Sequence, residues 1–179
     1  VGQMTLPHAI EFKPDGTKMF ITTNEAIGSF DLGVWQFKLN TPWDSTSLVC
    51  EKIYEIDIDD AGGEDQVRTL AFKPDGTRMF VGGRDLDKLR QYDLATPFDL
   101  RSGVTPGGVS ADLSSIETNM RNIQFNPDGT QLFLSGNERD VGRMNKINLS
   151  TAYDITTLSS TAETFDLGSR ANNMMGFIF

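Results

Sequence analysis

The side chains of this chain that could bind or react recur at fixed intervals. His8, Arg68 and Arg121 each stand two residues before an aliphatic residue (Ile10, Leu70, Ile123) and four before a phenylalanine (Phe12, Phe72, Phe125). Donors at matched positions would form part of a ring around an anionic or polyhydroxy ligand. The plainer account is that they pair with carboxylates of neighbouring repeats, and the repetition favours it. Asp85 and Asp140 hold matching loop positions and join the candidates. Repeated aspartates more often shape turns and sheet edges, and the same holds for Asp57, Asp112 and Asp166. Asp59, Asp60, Glu64 and Asp65 surround Gly62 and Gly63. Calcium takes several such oxygens, but this spacing matches no calcium loop, and a solvated acidic turn fits better. Trp43, Phe98 and Tyr153 would stack on a sugar if exposed, yet their strict recurrence favours packing.

Covalent and metal chemistry find little support. The chain has one histidine and one cysteine, Cys50, on an expected outer strand. No Gly-x-Ser-x-Gly elbow, P-loop or dinucleotide fingerprint occurs. The sequence therefore designates no catalytic residue, no metal site and no cofactor.

The elements that carry these residues are set by an internal repeat. Phe12-Lys13-Pro14-Asp15-Gly16-Thr17-Lys18-Met19-Phe20 returns as Phe72-Lys73-Pro74-Asp75-Gly76-Thr77-Arg78-Met79-Phe80, and more loosely over Phe125 to Phe133. Pro-Asp-Gly between apolar runs is a turn: proline presets φ, aspartate bonds its own backbone, glycine takes the left-handed conformation. Each copy reads as a hairpin with a glycine bulge. A third strand follows (34–39, 89–94, 144–149), then a corner: Thr41-Pro42-Trp43-Asp44, Thr96-Pro97-Phe98-Asp99, Thr151-Ala152-Tyr153-Asp154. A fourth strand is expected to end at Ile56-Asp57-Ile58, Ala111-Asp112-Leu113 and Phe165-Asp166-Leu167.

Four-stranded units repeating every 40–55 residues or so are β-propeller blades. The expectation is an all-β propeller segment spanning 1–179: blade one over 6–58, blade two over 66–113, blade three over 119–167. Residues 173–179 match the start of blade three and predict one extra inner strand, belonging to a fourth blade. A propeller ring usually has about 4–8 blades. The segment is thus expected to be part of a longer chain or to self-associate, although the surplus strand would duplicate a partner's first strand. The chain begins at Val1 without an initiator methionine, which suggests a removed leader or a piece of a longer protein.

Composition narrows the partners. The 179 residues are 38% hydrophobic and carry a net charge of −9. That balance argues against nucleic acid, which needs clustered Lys and Arg, and against anionic membranes. No apolar run approaches the 20 or so residues of a membrane span.

The hairpin and the Thr-Pro-Trp-Asp corner resemble the Pro-Asp-Gly propeller repeats of YncE-like and WD-repeat-like proteins, which occur in bacterial secreted proteins and phage structural proteins. The resemblance covers residues 6–179 and rests on turn and packing residues. It implies a non-enzymatic binding or structural module, extracellular, periplasmic or on a virion, with a carbohydrate or protein ligand. The alternative is part of a propeller enzyme of the lactonase or hydrolase type, its site completed by further blades.

Overall fold

The computed structural model describes residues 7–23, 33–55, 67–84, 87–136 and 143–166. They form three four-stranded antiparallel sheets, each a meander in chain order. Blade one comprises β1 (Pro7–Phe12), β2 (Lys18–Thr23), β3 (Gly33–Leu39) and β4 (Leu48–Glu55). Blade two comprises β5 (Val67–Phe72), β6 (Arg78–Gly83), β7 (Leu89–Leu94) and β8 (Val104–Val109). Blade three comprises β9 (Met120–Phe125), β10 (Gln131–Gly136), β11 (Arg143–Leu149) and β12 (Leu158–Asp166). The first strands line up side by side, β1 against β5 and β5 against β9, as inner strands do around a propeller axis. The acidic turn at 59–65, Asp57 and the extra inner strand at 173–179 lie outside the described residues.

The repeat folds as its chemistry dictates. Gly16, Gly76 and Gly129 adopt φ of 71°, 72° and 74°, a region that a side chain disfavours. Asp15, Asp75 and Asp128 each accept hydrogen bonds from the backbone N–H and the hydroxyl of the threonine two residues on. The Lys13 ammonium, then Thr17, hold the Asp15 carboxyl down at about 2, below the usual carboxylate range. The corner then folds back over this turn. Trp43, Phe98 and Tyr153 take φ of 64°, 54° and 55°, unusual for aromatic residues. Their backbone N–H groups donate to the carbonyls of Gly16, Gly76 and Gly129 at 2.9–3.0 Å. Their rings cover the same glycines so closely that a Cβ there would fall inside the ring.

The blades are held face to face by two apolar layers. Phe20 and Val34 of blade one pack with Leu70, Met79, Val81 and Tyr92 of blade two. Phe80 and Leu89 of blade two pack with Ile123, Leu132, Leu134 and Ile147 of blade three. Phe20 meets Phe72 at 4.6 Å between ring centroids, and Phe80 meets Phe125 at 4.5 Å.

Polar latches fix the register of each junction. Gln36, fully buried, accepts from Leu100 N–H at 2.6 Å and donates to Asp99 at 3.4 Å. Gln91 repeats this one blade on, accepting from Ile155 N–H at 3.0 Å and donating to Asp154 at 3.2 Å. A cation completes each latch: Lys18 donates to the Phe98 carbonyl and Arg78 to the Tyr153 carbonyl, both at 2.9 Å. The corner aspartate of one blade is thus the docking point of the blade before it. The Arg101 side chain is the largest influence holding the Asp99 carboxyl well below the usual range, with burial opposing it and Lys18 and Gln36 adding to it.

One strand ends earlier than its sequence suggests. The fourth strand of blade two stops at Val109, short of Ala111-Asp112-Leu113. The Asp112 carboxylate accepts Ser114 N–H and turns the chain. Leu113 leaves the sheet to become fully buried in the layer between blades two and three. Burial of that side chain outweighs two more rungs on an outer edge.

Replacing Gly76 with alanine will destabilise the fold by about 3 kcal/mol, since it adds a clash with the buried Phe98 ring to the backbone cost. Gly16→Ala will cost about 1–2 kcal/mol, because the Trp43 ring is 60% exposed and can swing aside. Urea unfolding of both variants checks the difference. Gln36→Leu leaves the buried Leu100 N–H without its acceptor and will cost about 2 kcal/mol by the same assay.

Candidate functional site

Inner strands place alternate side chains toward the axis and between the blades. Their starts carry the predicted donors. Arg68 is buried and its Nη1 donates to Asn119 Oδ1. Asn119 in turn donates its backbone N–H to Glu117 Oε1 at 3.0 Å, and Glu117 is itself buried. Burial first, then the nearby Arg84, hold the Arg121 guanidinium below its ordinary range, while Glu117 acts the other way. Arg68 thus sits in a polar network at the junction of blades two and three. His8 is half-buried near the start of β1. Asp85 and Asp140 lie outside the described residues.

The other end of the inner strands is open. A cavity of about 820 Å³ spans all three blades there, with Ile10, Glu11 and Phe12 on one side, Phe72 in the middle, and Gln124 and Phe125 on the other. None of the predicted donors lines it. Its polar groups are Glu11, Asn122, Gln124 and Asn126. Asn126 is committed to its own hairpin, accepting Gln131 N–H at 2.9 Å. The Tyr153 hydroxyl donates to the Pro127 carbonyl at 2.8 Å, and burial raises its pKa.

Asn122 has a partner within the fold, and Glu11 and Gln124 remain. They hold the same repeat position, one before the inner-strand phenylalanine, where blade two has Ala71. Desolvation alone pushes the Glu11 carboxyl up to about 7. The Gln124 side-chain oxygen is buried and has no hydrogen-bond partner among the described residues. A carboxyl lining this cavity, an acceptor once ionised, calls for a ligand rich in donors, as a sugar's hydroxyls are. The flanking phenylalanine rings suit the apolar face of such a ring. A carboxylate titrating near neutrality can also take a proton from water.

Sequence reading missed both groups. Glu11 looks like the polar partner of Ile10 and Phe12 in an alternating strand. Its desolvation comes from burial in the folded chain, which no local pattern shows. The signal that was present is variation: Glu, Ala and Gln at one position of an otherwise regular repeat. Of the recurring aromatic corner residues, Phe98 and Tyr153 serve packing, only 6% and 8% exposed, while Trp43 covers Gly16 but is 60% exposed.

No family model matches the chain, and no curated protein sequence matches it. Solved structures do match its shape. The periplasmic gluconolactonase PpgL of Pseudomonas aeruginosa aligns with a TM-score of 0.61 at 17% identity, over 91% of this chain and 40% of that one. A candidate 6-phosphogluconolactonase from Bacteroides fragilis NCTC 9343 gives 0.59 at 16%, over 93% and 43%. The β-propeller domain of Myceliophteria thermophila Cps50 (Swd1) gives 0.52 at 12%, over 90% and 43%. The chain therefore spans about two fifths of the length of these structures. At such identities the likeness establishes the fold: three blades of a β-propeller.

Glu11 is predicted to make stability fall with pH. Its folded pKa lies above the unfolded value of about 4.3, so the folded state holds the proton more tightly. The resulting penalty is absent below about pH 4, grows as pH rises, and is complete above about 7. Glu11→Gln will accordingly raise stability by about 1–3 kcal/mol at pH 8 and leave it nearly unchanged at pH 4. Urea unfolding at both values reads this out.

Proposed function

We propose that this chain contributes blades to a propeller that binds a small polyhydroxy molecule at its axial cavity and hydrolyses a lactone there. One observation carries the reading: the Glu11 carboxyl, desolvated and titrating near 7, lines a cavity that spans all three blades. Structural likeness to gluconolactonase-type propellers supports the choice of reaction class. In this reading the phenylalanine rings of the inner strands seat the sugar ring. Glu11 takes a proton from water as its oxygen adds to the lactone carbonyl. The tetrahedral adduct then breaks the ring C–O bond, and Glu11 returns the proton to the leaving oxygen, giving the hydroxy acid. A periplasmic setting is in keeping with the P. aeruginosa neighbour.

The second reading keeps the same cavity without chemistry: a binding or structural module of the Pro-Asp-Gly, YncE-like repeat type. In its favour, the corner aspartates Asp99 and Asp154 and the buried Gln36 and Gln91 all serve blade cohesion.

Hydrolysis of D-glucono-1,5-lactone followed by pH-stat from pH 5 to 8 separates the two. The enzyme reading expects a rate above the buffer blank that rises through about pH 7 as Glu11 ionises, and a loss of about 100-fold or more in Glu11→Gln. No rate above the blank, with calorimetric binding of gluconate that Glu11→Gln abolishes, establishes the binding module instead.

A further inference from the structure

Both observed junctions set the same kind of inner strand against the same kind of trailing face. Phe20 and Val34 on the trailing side of blade one are fully buried, as are Phe80 and Leu89 on that of blade two. Each of these phenylalanines, on the second strand of its blade, receives the phenylalanine that ends the next inner strand. Phe20 receives Phe72 at 4.6 Å between ring centroids, and Phe80 receives Phe125 at 4.5 Å. Leu70 and Ile123, two residues before the incoming rings, join the same apolar layers.

The trailing face of blade three repeats the receiving half. Lys146 pairs in register with Phe133, as Gln36 does with Phe20 and Gln91 with Phe80. Phe133 therefore holds the place of Phe20 and Phe80, and Met144 that of Val34 and Leu89. The outer part of this face differs. Lys146 is held by Glu163 of its own blade at 2.8 Å, and its ammonium cannot accept an N–H as the two glutamines do. What this face shares with the other two is its inner, apolar half.

We propose that residues 174–179 of this chain cover that inner half as the first strand of a further blade, with the Phe179 ring set on Phe133 and Phe177 in the layer with Met144. Five of the seven residues in 173–179 are apolar, and Phe177 and Phe179 fall where Ile123 and Phe125 stand in 119–125. The connection is long enough. Asp166, at the end of β12, lies level in register with Arg143, Gly136 and Met120, so the chain leaves blade three at the end where inner strands begin. The next inner strand lies three strand spacings inward and one sheet spacing onward, about 17 Å away. Residues 167–173 reach about 23 Å when extended. Ile178 then continues the row of Glu11, Ala71 and Gln124 with an apolar side chain.

A double-mutant cycle by urea unfolding of the full chain tests the contact. Phe133→Leu and Phe179→Leu together are expected to lower the midpoint by about 0.5 M less than the sum of their separate shifts, as touching rings do. Phe80→Leu with Phe125→Leu, a pair already in contact, sets the scale. Proton NMR of the unaltered protein supplies a second reading that needs no variant: a cross-peak between the Phe133 and Phe179 rings. Where a variant fails to fold, the cross-peak alone decides. Additive shifts in the cycle, or no cross-peak between the two rings, overturn the proposal.

Discussion

The structure depends on one recurring demand: the N–H groups after the corner aspartates Asp99 and Asp154 are buried at the blade junctions and need an acceptor. Leu100 is 2% exposed and Ile155 is fully buried. A buried donor without a partner is costly, while the same bond formed adds modest net stability. Gln36 and Gln91 supply the acceptor from the preceding blade and use the rest of the amide to touch Asp99 and Asp154. The bond therefore specifies which blade faces which, and at what height. The apolar layers supply most of the attraction, but two greasy sheets could slide; a buried amide in a fixed corner cannot.

Much else follows from placing that corner. The corner turns because the aromatic residue accepts a positive φ, a strained choice that is tolerated because its ring covers the hairpin glycine and its N–H bonds that glycine's carbonyl. The hairpin leaves room because glycine has no Cβ. Turn, corner and latch thus form one chain of necessity running from Pro-Asp-Gly in one part of a blade to glutamine in its neighbour. This explains why the repeated residues are silent about ligand. Their atoms already have partners in the fold.

That same logic divides what the sequence could reveal from what it could not. The Pro-Asp-Gly turns, the continuous apolar second strands and the aromatic corners act within about thirty residues, so local chemistry made the three-bladed, all-β architecture readable. The glutamine latches were not readable, because Gln36 and Leu100 are 64 residues apart and an isolated glutamine on a strand resembles any surface residue. Leu113 looked like the end of a strand because its burial belongs to the next blade. The matched positions of His8, Arg68 and Arg121 were legible, but the repeat could not show that Arg68 bonds Asn119, nor that the open cavity lies at the other end of the strands. Glu11 was hidden because its burial arises only in the folded chain.

Repetition also gives the variable positions their meaning. Where three blades share a residue, a shared structural need explains it. Where Glu11, Ala71 and Gln124 diverge at one position, the blade template imposes no choice, and each residue reflects its own surroundings. Ala71 is buried between blades two and three, where a larger polar group would lack partners. Glu11 carries a carboxyl whose charged form is penalised by burial and compensated by no partner among the described residues. Packing alone would be better served by the alanine that blade two uses, since a desolvated carboxylate costs stability wherever it must ionise. A ligand that brings hydrogen-bond donors to the cavity would remove that cost when it binds. The desolvated carboxyl at the cavity is therefore a cost that the cohesion of the blades does not offset.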